Sequence, residues 1–226
     1  MPCGHYSLRS AQVKRILIIE REYGCGAGEI AEQAAERLGW RLFDRELTGE
    51  IAKLAKVDPR ECERREERLD SWLYRLGKIF WRGSYEQALP VPGPEIMDAD
   101  RMVQLVEEVV RRVAQSGQCV LVGRGAPYFL RNRSDTFCVF LFAPRAFKIA
   151  RMEKLVGSRA KAESLVESVD QGRAAFIKHY FGRDWPNRHL YHLMINTVIG
   201  IPETVDLIVN AVQTVGPNEG TQVELD

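Results

Sequence analysis

The sequence predicts an α/β fold built on a parallel sheet with crossover helices. Short β-branched apolar runs alternate with stretches whose apolar residues recur at helical spacing, from Ile16–Ile19 to Pro202–Val215, which is the pattern of strands joined through helices rather than by hairpins. A cluster of glycines separates the first run from the first helical stretch. The 226 residues, 45% hydrophobic and 28% charged, suffice for one domain with a sizeable core.

Taken in order, Ile16–Ile19 reads as a buried first strand that ends in charged residues and glycines. Ile30, Ala31, Ala34, Ala35 and Leu38 then repeat on one helical face until Gly39, a residue suited to a helix C-terminus. Arg41–Phe43 predicts a short second strand, and Leu47, Ile51, Leu54 and Ala55 a helix after it. Asp58, Pro59 and Glu61 mark another helix start as N-cap, first helical residue and capping-box acid. Across 60–89 a charged stretch gives way to Trp72, Tyr74, Phe80, Trp81 and Tyr85, rings that need burial in a small helical subdomain or against a second copy of the chain. Pro90, Pro92, Gly93 and Pro94 form a linker. Met102, Val103, Val106, Val109, Val110 and Val113 set out a long amphipathic helix stopped at Ser116-Gly117. Cys119–Val122 and Thr136–Ala143 predict central strands, followed by helices from Pro144 and Ser158, a last strand at Met194–Asn196 and a closing helix over Pro202–Val215. The expected organisation is a flexible 1–13, a single domain over 14–215 and a flexible tail at 216–226, with a helical insert at 58–95 and a lid-like segment at 157–188.

Lysine plus arginine (32) nearly balance aspartate plus glutamate (31). A net charge of +1 supplies no general attraction to nucleic acid or an anionic membrane, so any anion site has to be built locally. The longest apolar run, Phe137–Ala143, is far short of the roughly 20 residues that a spanning helix needs. The N-terminal stretch around Arg9 and Lys14 lacks the apolar centre of a secretion signal, and a cytoplasmic protein is expected. Cys3, Cys25, Cys62, Cys119 and Cys138 never form CxxC, which points to reduced thiols. His189 and His192 have ligand-like spacing without an acidic or cysteine partner, so no protein metal site is expected.

Between first strand and first helix runs Glu20-Arg21-Glu22-Tyr23-Gly24-Cys25-Gly26-Ala27-Gly28-Glu29. Strand, glycine turn and helix in that order form either a plain tight turn or a phosphate cradle, because glycines let backbone N–H groups converge at the positive end of a helix. The strict pattern GxxxxGK[ST] is not met: Ala27 takes the lysine position and no hydroxyl follows. Cys25, inside the turn, is either a thiol favoured as thiolate by the helix end or a small buried space-filler. Gly123-Arg124-Gly125 falls at the carboxyl end of a central strand, where ligands sit in open parallel sheets, and its arginine either forks onto a phosphate or caps a turn. Asp170, Arg173, Lys178, Arg183 and Asp184 decorate the following segment, either as a closing cationic lid or as a solvated helix.

These pieces together resemble the cytidylate kinase-like family of P-loop nucleoside monophosphate kinases. The resemblance runs from Ile16 to about Val215 through ILIIEREYGCGAGEIA, RLFDRELT, VLVGRGAPYFL, VFLFAPRAFKIARM, a D-x-x-R-x(6)-Y-x(3)-DW stretch and YHLMINT. It implies a P-loop NTPase-type three-layer α/β sandwich with a five-stranded parallel sheet, a helical insert and a lid. It implies ATP and Mg2+ as cofactors and small-molecule nucleotides as partners, with no nucleic acid and no membrane. Gly24, Cys25, Gly26, Ala27, Gly28 and Glu29 would then take the donor phosphates, with Asn196 and Thr197 framing the donor base. Asp44, Arg45 and Arg124 would line the acceptor site. Arg21, Arg145, Arg151 and Arg173 would supply catalytic cations, Arg21 being the nearest replacement for the lysine. The implied reaction carries phosphoryl from ATP to a pyrimidine nucleoside monophosphate such as CMP or dCMP. Lysine and Thr or Ser are missing from the turn, and Gly123-Arg124-Gly125 stands where cytidylate kinases have Gly-Arg-Asp. A catalytically silent nucleotide or phospho-ligand sensor is the alternative.

Overall fold

A computed structural model of the protein describes residues 15–44 and 99–215. The insert expected at 58–95, the helix expected at 47–55, Arg45 and both terminal segments lie outside the described residues. Among the described residues, five strands and six α-helices follow in the order β1 (Ile16–Arg21), α1 (Ala27–Leu38), β2 (Arg41–Phe43), α2 (Ala99–Ser116), β3 (Cys119–Val122), α3 (Ala126–Phe129), β4 (Thr136–Phe142), α4 (Arg145–Val156), α5 (Arg159–Phe181), β5 (Leu193–Asn196) and α6 (Ile201–Thr214). The sheet order is β2-β3-β1-β4-β5 and every pairing is parallel. All five carboxyl ends therefore lie along one edge, with β1 at the centre between β3 and β4.

Strand alternation decides which residues face which layer. Leu17, Ile19, Val120, Val122, Val139 and Leu141 pack with α1 and α6, through Ile30, Ala34, Val205 and Ile208. Ile16, Ile18, Cys119, Leu121 and Cys138 pack on the opposite face with α2 and α3, through Val106, Val110, Ala126 and Phe129. Burial on both faces is why these strands read as unbroken apolar runs, and the result is a helix–sheet–helix sandwich of the P-loop type.

Helices α4 and α5 form a hairpin with its own core of Ile149, Met152, Ala162, Val166 and Val169. Tyr23, from the glycine turn, is buried in that core. The segment expected as a lid is thus mainly one 23-residue helix, opened by Ser158, whose hydroxyl accepts the Lys161 N–H at 3.4 Å. Strand β1 extends two residues past the expected Ile19, so Glu20 and Arg21 are buried strand residues rather than loop. Among the described residues, no helix is long and apolar enough to cross a membrane.

Candidate active site at the carboxyl edge of the sheet

The glycine turn leaves β1 at this edge and hands the chain to α1, whose N-cap, Gly26, contributes no side-chain cap. Gly24 has φ +85° and lies against α4, so that a Cβ there would stand 3.1 Å from Met152 Cγ and 3.2 Å from the Lys148 carbonyl oxygen. The turn is held by side chains from far along the sequence. The Tyr23 N–H donates to Asp170 Oδ1 at 2.8 Å, and Arg173 Nη1 donates to the Arg21 carbonyl at 2.8 Å. Lys148 Nζ bridges Glu22 Oε2 at 2.8 Å and Asp170 Oδ2 at 3.0 Å. The Glu22 carboxylate also accepts the Ala143 N–H at 3.3 Å. Burial pulls the Lys148 ammonium down, but Glu22 and Asp170 more than offset it and hold the lysine above its ordinary value.

Inside the turn, Cys25 is buried, with Sγ 3.7 Å from the Leu141 carbonyl. It fills space in the core, which is the second of the two readings open from the sequence. Ala27, at the lysine position of the strict pattern, is likewise part of the core beneath α1.

The second turn follows β3. Gly123, Arg124 and Gly125 are all left-handed, with φ +67°, +63° and +69°. For an arginine this costs about 1–2 kcal/mol, a strain that persists where surroundings over-determine it. A Cβ on Gly123 would collide with Arg21 Nη1, and one on Gly125 would lie 3.1 Å from the Phe181 ring. Glycine is therefore required on both sides of Arg124.

Arg21, Arg124 and Arg173 converge here, together with Glu20, Asp44 and Asp170. Burial brings Arg124 down to about 10, with Asp44 opposing the fall and Arg21 and Arg173 deepening it. Burial, then repulsion from Arg21, brings Arg173 down to about 10 as well. Burial pushes the Glu20 carboxyl up, against the pull of Arg21, Arg173, Trp185 and Arg124. Each of the three arginines feels the others, and each is balanced by carboxylates of the protein.

The remaining expected residues divide. Arg151 joins the glycine turn: its guanidinium lies 3.6 Å from where a Gly26 Cβ would be, and it pairs with Glu29. Asn196 Oδ1 accepts the Val198 N–H at 3.2 Å, and Thr197 Oγ1 donates to the Phe142 carbonyl at 3.4 Å, which shapes the turn after β5. Val198 and Ile199 stay exposed there, while Ile201 Cδ1 reaches to 3.8 Å of the Gly26 position. Arg145 is not brought to the cluster, being exposed and paired with Glu167 between α4 and α5. Lys148 was missed by sequence reasoning, because a lysine in an amphipathic helix looks solvated until its partners are known. Among the described residues no group of three His, Cys, Asp or Glu could hold a metal ion. The turn and Arg151 suit the phosphates of a nucleotide, whereas a protein donor set for Mg2+ is not found among them.

A helix–sheet–helix sandwich, a glycine turn at a helix N-terminus and clustered arginines at the carboxyl edge define the class of P-loop, kinase-like proteins. The sequence profile of the cytidylate kinase-like family matches residues 16–198, and the chain belongs to that family. No curated protein sequence matches it. Among solved structures, an uncharacterized protein from Eubacterium ventriosum superposes with a TM-score of 0.65 at 19% identity, over 89% of this chain and 99% of that one. Shikimate kinase from Bacteroides thetaiotaomicron gives 0.48 at 15% identity, over 88% and 96%. Deoxyadenosine kinase from M. mycoides with bound dCTP gives 0.41 at 11% identity, over 88% and 100%.

Proposed function

We propose that the protein is a nucleoside monophosphate kinase-like phosphotransferase, carrying the γ-phosphoryl of ATP to a pyrimidine nucleoside monophosphate of the CMP or dCMP kind. The observation that carries this reading is the convergence of Arg21 and Arg124, both buried, with Arg173, whose side chain is 11% exposed, beside a glycine turn at the start of α1. Phosphoryl transfer asks a protein mainly for positioning and for positive charge around a loose transition state, and a buried guanidinium cluster supplies both. The acceptor's phosphate oxygen attacks the γ-phosphorus as the bond to the β–γ bridging oxygen breaks, and ADP leaves. Arg124 forks onto the acceptor phosphate at the mouth formed with Asp44 and Arg45. Arg151 and the turn hold the donor phosphates, Asn196 and Thr197 frame the donor base, and Arg21 and Arg173 face the transferring group. Mg2+, when bound with ATP, neutralises phosphate charge. Nucleotide substrates fit a cytoplasmic protein, and the 60–89 insert is the candidate dimer contact.

The test is ADP release from Mg-ATP against a panel of nucleoside monophosphates, with turnover expected for CMP or dCMP. Binding of ATP with no turnover for any acceptor would replace this reading by a ligand sensor. One observation favours that second reading: Lys148, the lysine beside the glycine turn, is already committed to Glu22 and Asp170.

A further inference from the structure

Around Glu20 lie polar groups that phosphoryl transfer does not use. Glu20 pairs with Phe140 across β1 and β4. Trp185 and Tyr191, both on the connection from α5 to β5, pack on Phe140 with ring centroids 5.5 and 5.0 Å away. Tyr128, on α3 directly after the arginine turn, stacks on Phe181 at 4.4 Å, and Phe181 closes over Gly125. Rings from three parts of the chain thus surround one buried carboxylate.

Their polar ends are unused. Tyr128 Oη, Tyr191 Oη, Trp185 Nε1 and Arg21 Nε are buried and make no hydrogen bond to any described residue. Tyr128 and Arg21 are each only 5% exposed. The Trp185 N–H acts on Glu20 without closing a hydrogen bond of normal geometry. Burial first, and the Glu20 charge second, push the ionisation of both phenols up, so each keeps its proton. A buried hydroxyl or N–H without an acceptor costs stability that phenylalanine at the same place would recover. Three such groups gathered around one buried carboxyl imply a use that offsets this cost.

We propose that Glu20, Tyr128, Trp185 and Tyr191 form a recognition subsite for an uncharged part of the acceptor that presents a hydrogen-bond donor beside an acceptor. The inference rests on the reading above that the acceptor's phosphate lies at Arg124. The Glu20 carboxyl has an oxygen that accepts hydrogen bonds in either protonation state, so a donor suits the place beside it. The tyrosines and tryptophan bring donors of their own and need an acceptor. A ribose diol meets both demands, as does the donor-and-acceptor edge of a pyrimidine. Because these polar atoms are sealed by the connection that carries Trp185 and Tyr191, that connection has to open to admit the ligand and close again so that both side chains reach it.

Titration calorimetry of CMP, ribose 5-phosphate and 2′,3′-dideoxy-CMP against wild type, Tyr128→Phe, Tyr191→Phe and Trp185→Phe tests this, together with thermal melts of the unliganded proteins. The tyrosine variants are expected to melt at or above the wild-type temperature while binding CMP about 10-fold more weakly. An equal loss for ribose 5-phosphate, with dideoxy-CMP insensitive, assigns the diol; a loss for CMP and dideoxy-CMP alone assigns the base edge. Wild-type binding of CMP with unchanged affinity in all three variants overturns the subsite and leaves the kinase reading standing. A lowered melting temperature with unchanged affinity also overturns it, since the hydroxyls would then be bracing the fold. Wild type that binds neither CMP nor ribose 5-phosphate overturns the acceptor reading, and the subsite with it.

Discussion

The turns after β1 and after β3 sit side by side at the carboxyl edge of the sheet, yet they are built on opposite plans. The first carries no cation inside its glycine stretch; its shape is imposed by Asp170, Arg173 and Lys148, which arrive on the α4–α5 hairpin. The second holds its own cation, Arg124, in a left-handed backbone between two glycines, and aromatic rings wall it in. Charge fixes the first turn and packing fixes the second. The two plans should therefore fail in different ways.

The largest effect is expected from Lys148→Met, which leaves Glu22 and Asp170 partly buried without their shared cation. Removing one partner of a buried pair costs about 3–5 kcal/mol, and the residual exposure of both carboxylates places the loss near the lower figure. A urea titration reads it directly, and a loss below 1 kcal/mol would mean that the network does not brace the turn. Next come the glycines. Gly24→Ala meets Met152 and the Lys148 carbonyl in addition to a left-handed φ, for a cost of about 2–4 kcal/mol. Gly123→Ala meets the movable end of Arg21, so about 1–2 kcal/mol of stability is lost and Arg21 is displaced. Stability should follow the first variant and ligand affinity the second; the reverse would invert the comparison.

Arg124→Ala should weaken acceptor binding by about 1.5–3 kcal/mol, the worth of a charged bidentate pair, while ATP affinity stays nearly constant. Equal losses for both ligands in calorimetry would argue against its assignment. Arg145→Ala, by contrast, removes an exposed pair and should cost less than about 1 kcal/mol. Turnover that collapses in this variant would bring Arg145 back to the reaction. The smallest effect lies at the far end of the sheet. Arg133 holds the Asp135 carboxyl below its usual range, with donor–acceptor distances of 2.8 and 2.9 Å. That stabilisation is present above the ordinary carboxylate pKa and is lost as pH falls through the held-down value. Asp135→Asn should therefore lower the urea midpoint at neutral pH and converge with wild type in acid; a constant gap at all pH values would rule the pair out as the cause.

What was legible in the sequence was local. Cys119–Val122 and Arg41–Phe43 run where the apolar pattern ends them, and the glycines around Arg124 mark a turn without any tertiary knowledge. What was not legible depends on partners far away. Lys148 and Glu22 are separated by 126 positions, and Tyr23 and Asp170 by 147. Nothing in helical periodicity shows that Lys148 turns inward. For Cys25 the sequence left a thiolate and a buried space-filler both open, and only the packing against the Leu141 carbonyl and the core around it shows the side chain to be buried. Nothing in the sequence marks Tyr128, Trp185 and Tyr191 as a group, because only the fold gathers their buried polar ends in the neighbourhood of Glu20.

The bracing of the first turn by α5 bears on how such proteins can be rebuilt. The Arg21 carbonyl and the Tyr23 N–H are each held by a side chain of α5. A motif that looks portable on paper is here one half of a two-part fitting. Transplanting a lysine-bearing loop from another kinase into this chain would bring the new side chains without the geometry that orients them, and its Ala27-equivalent lysine would be driven into the core. An exchange that moves the loop and the α4–α5 hairpin as one cassette keeps the fitting whole.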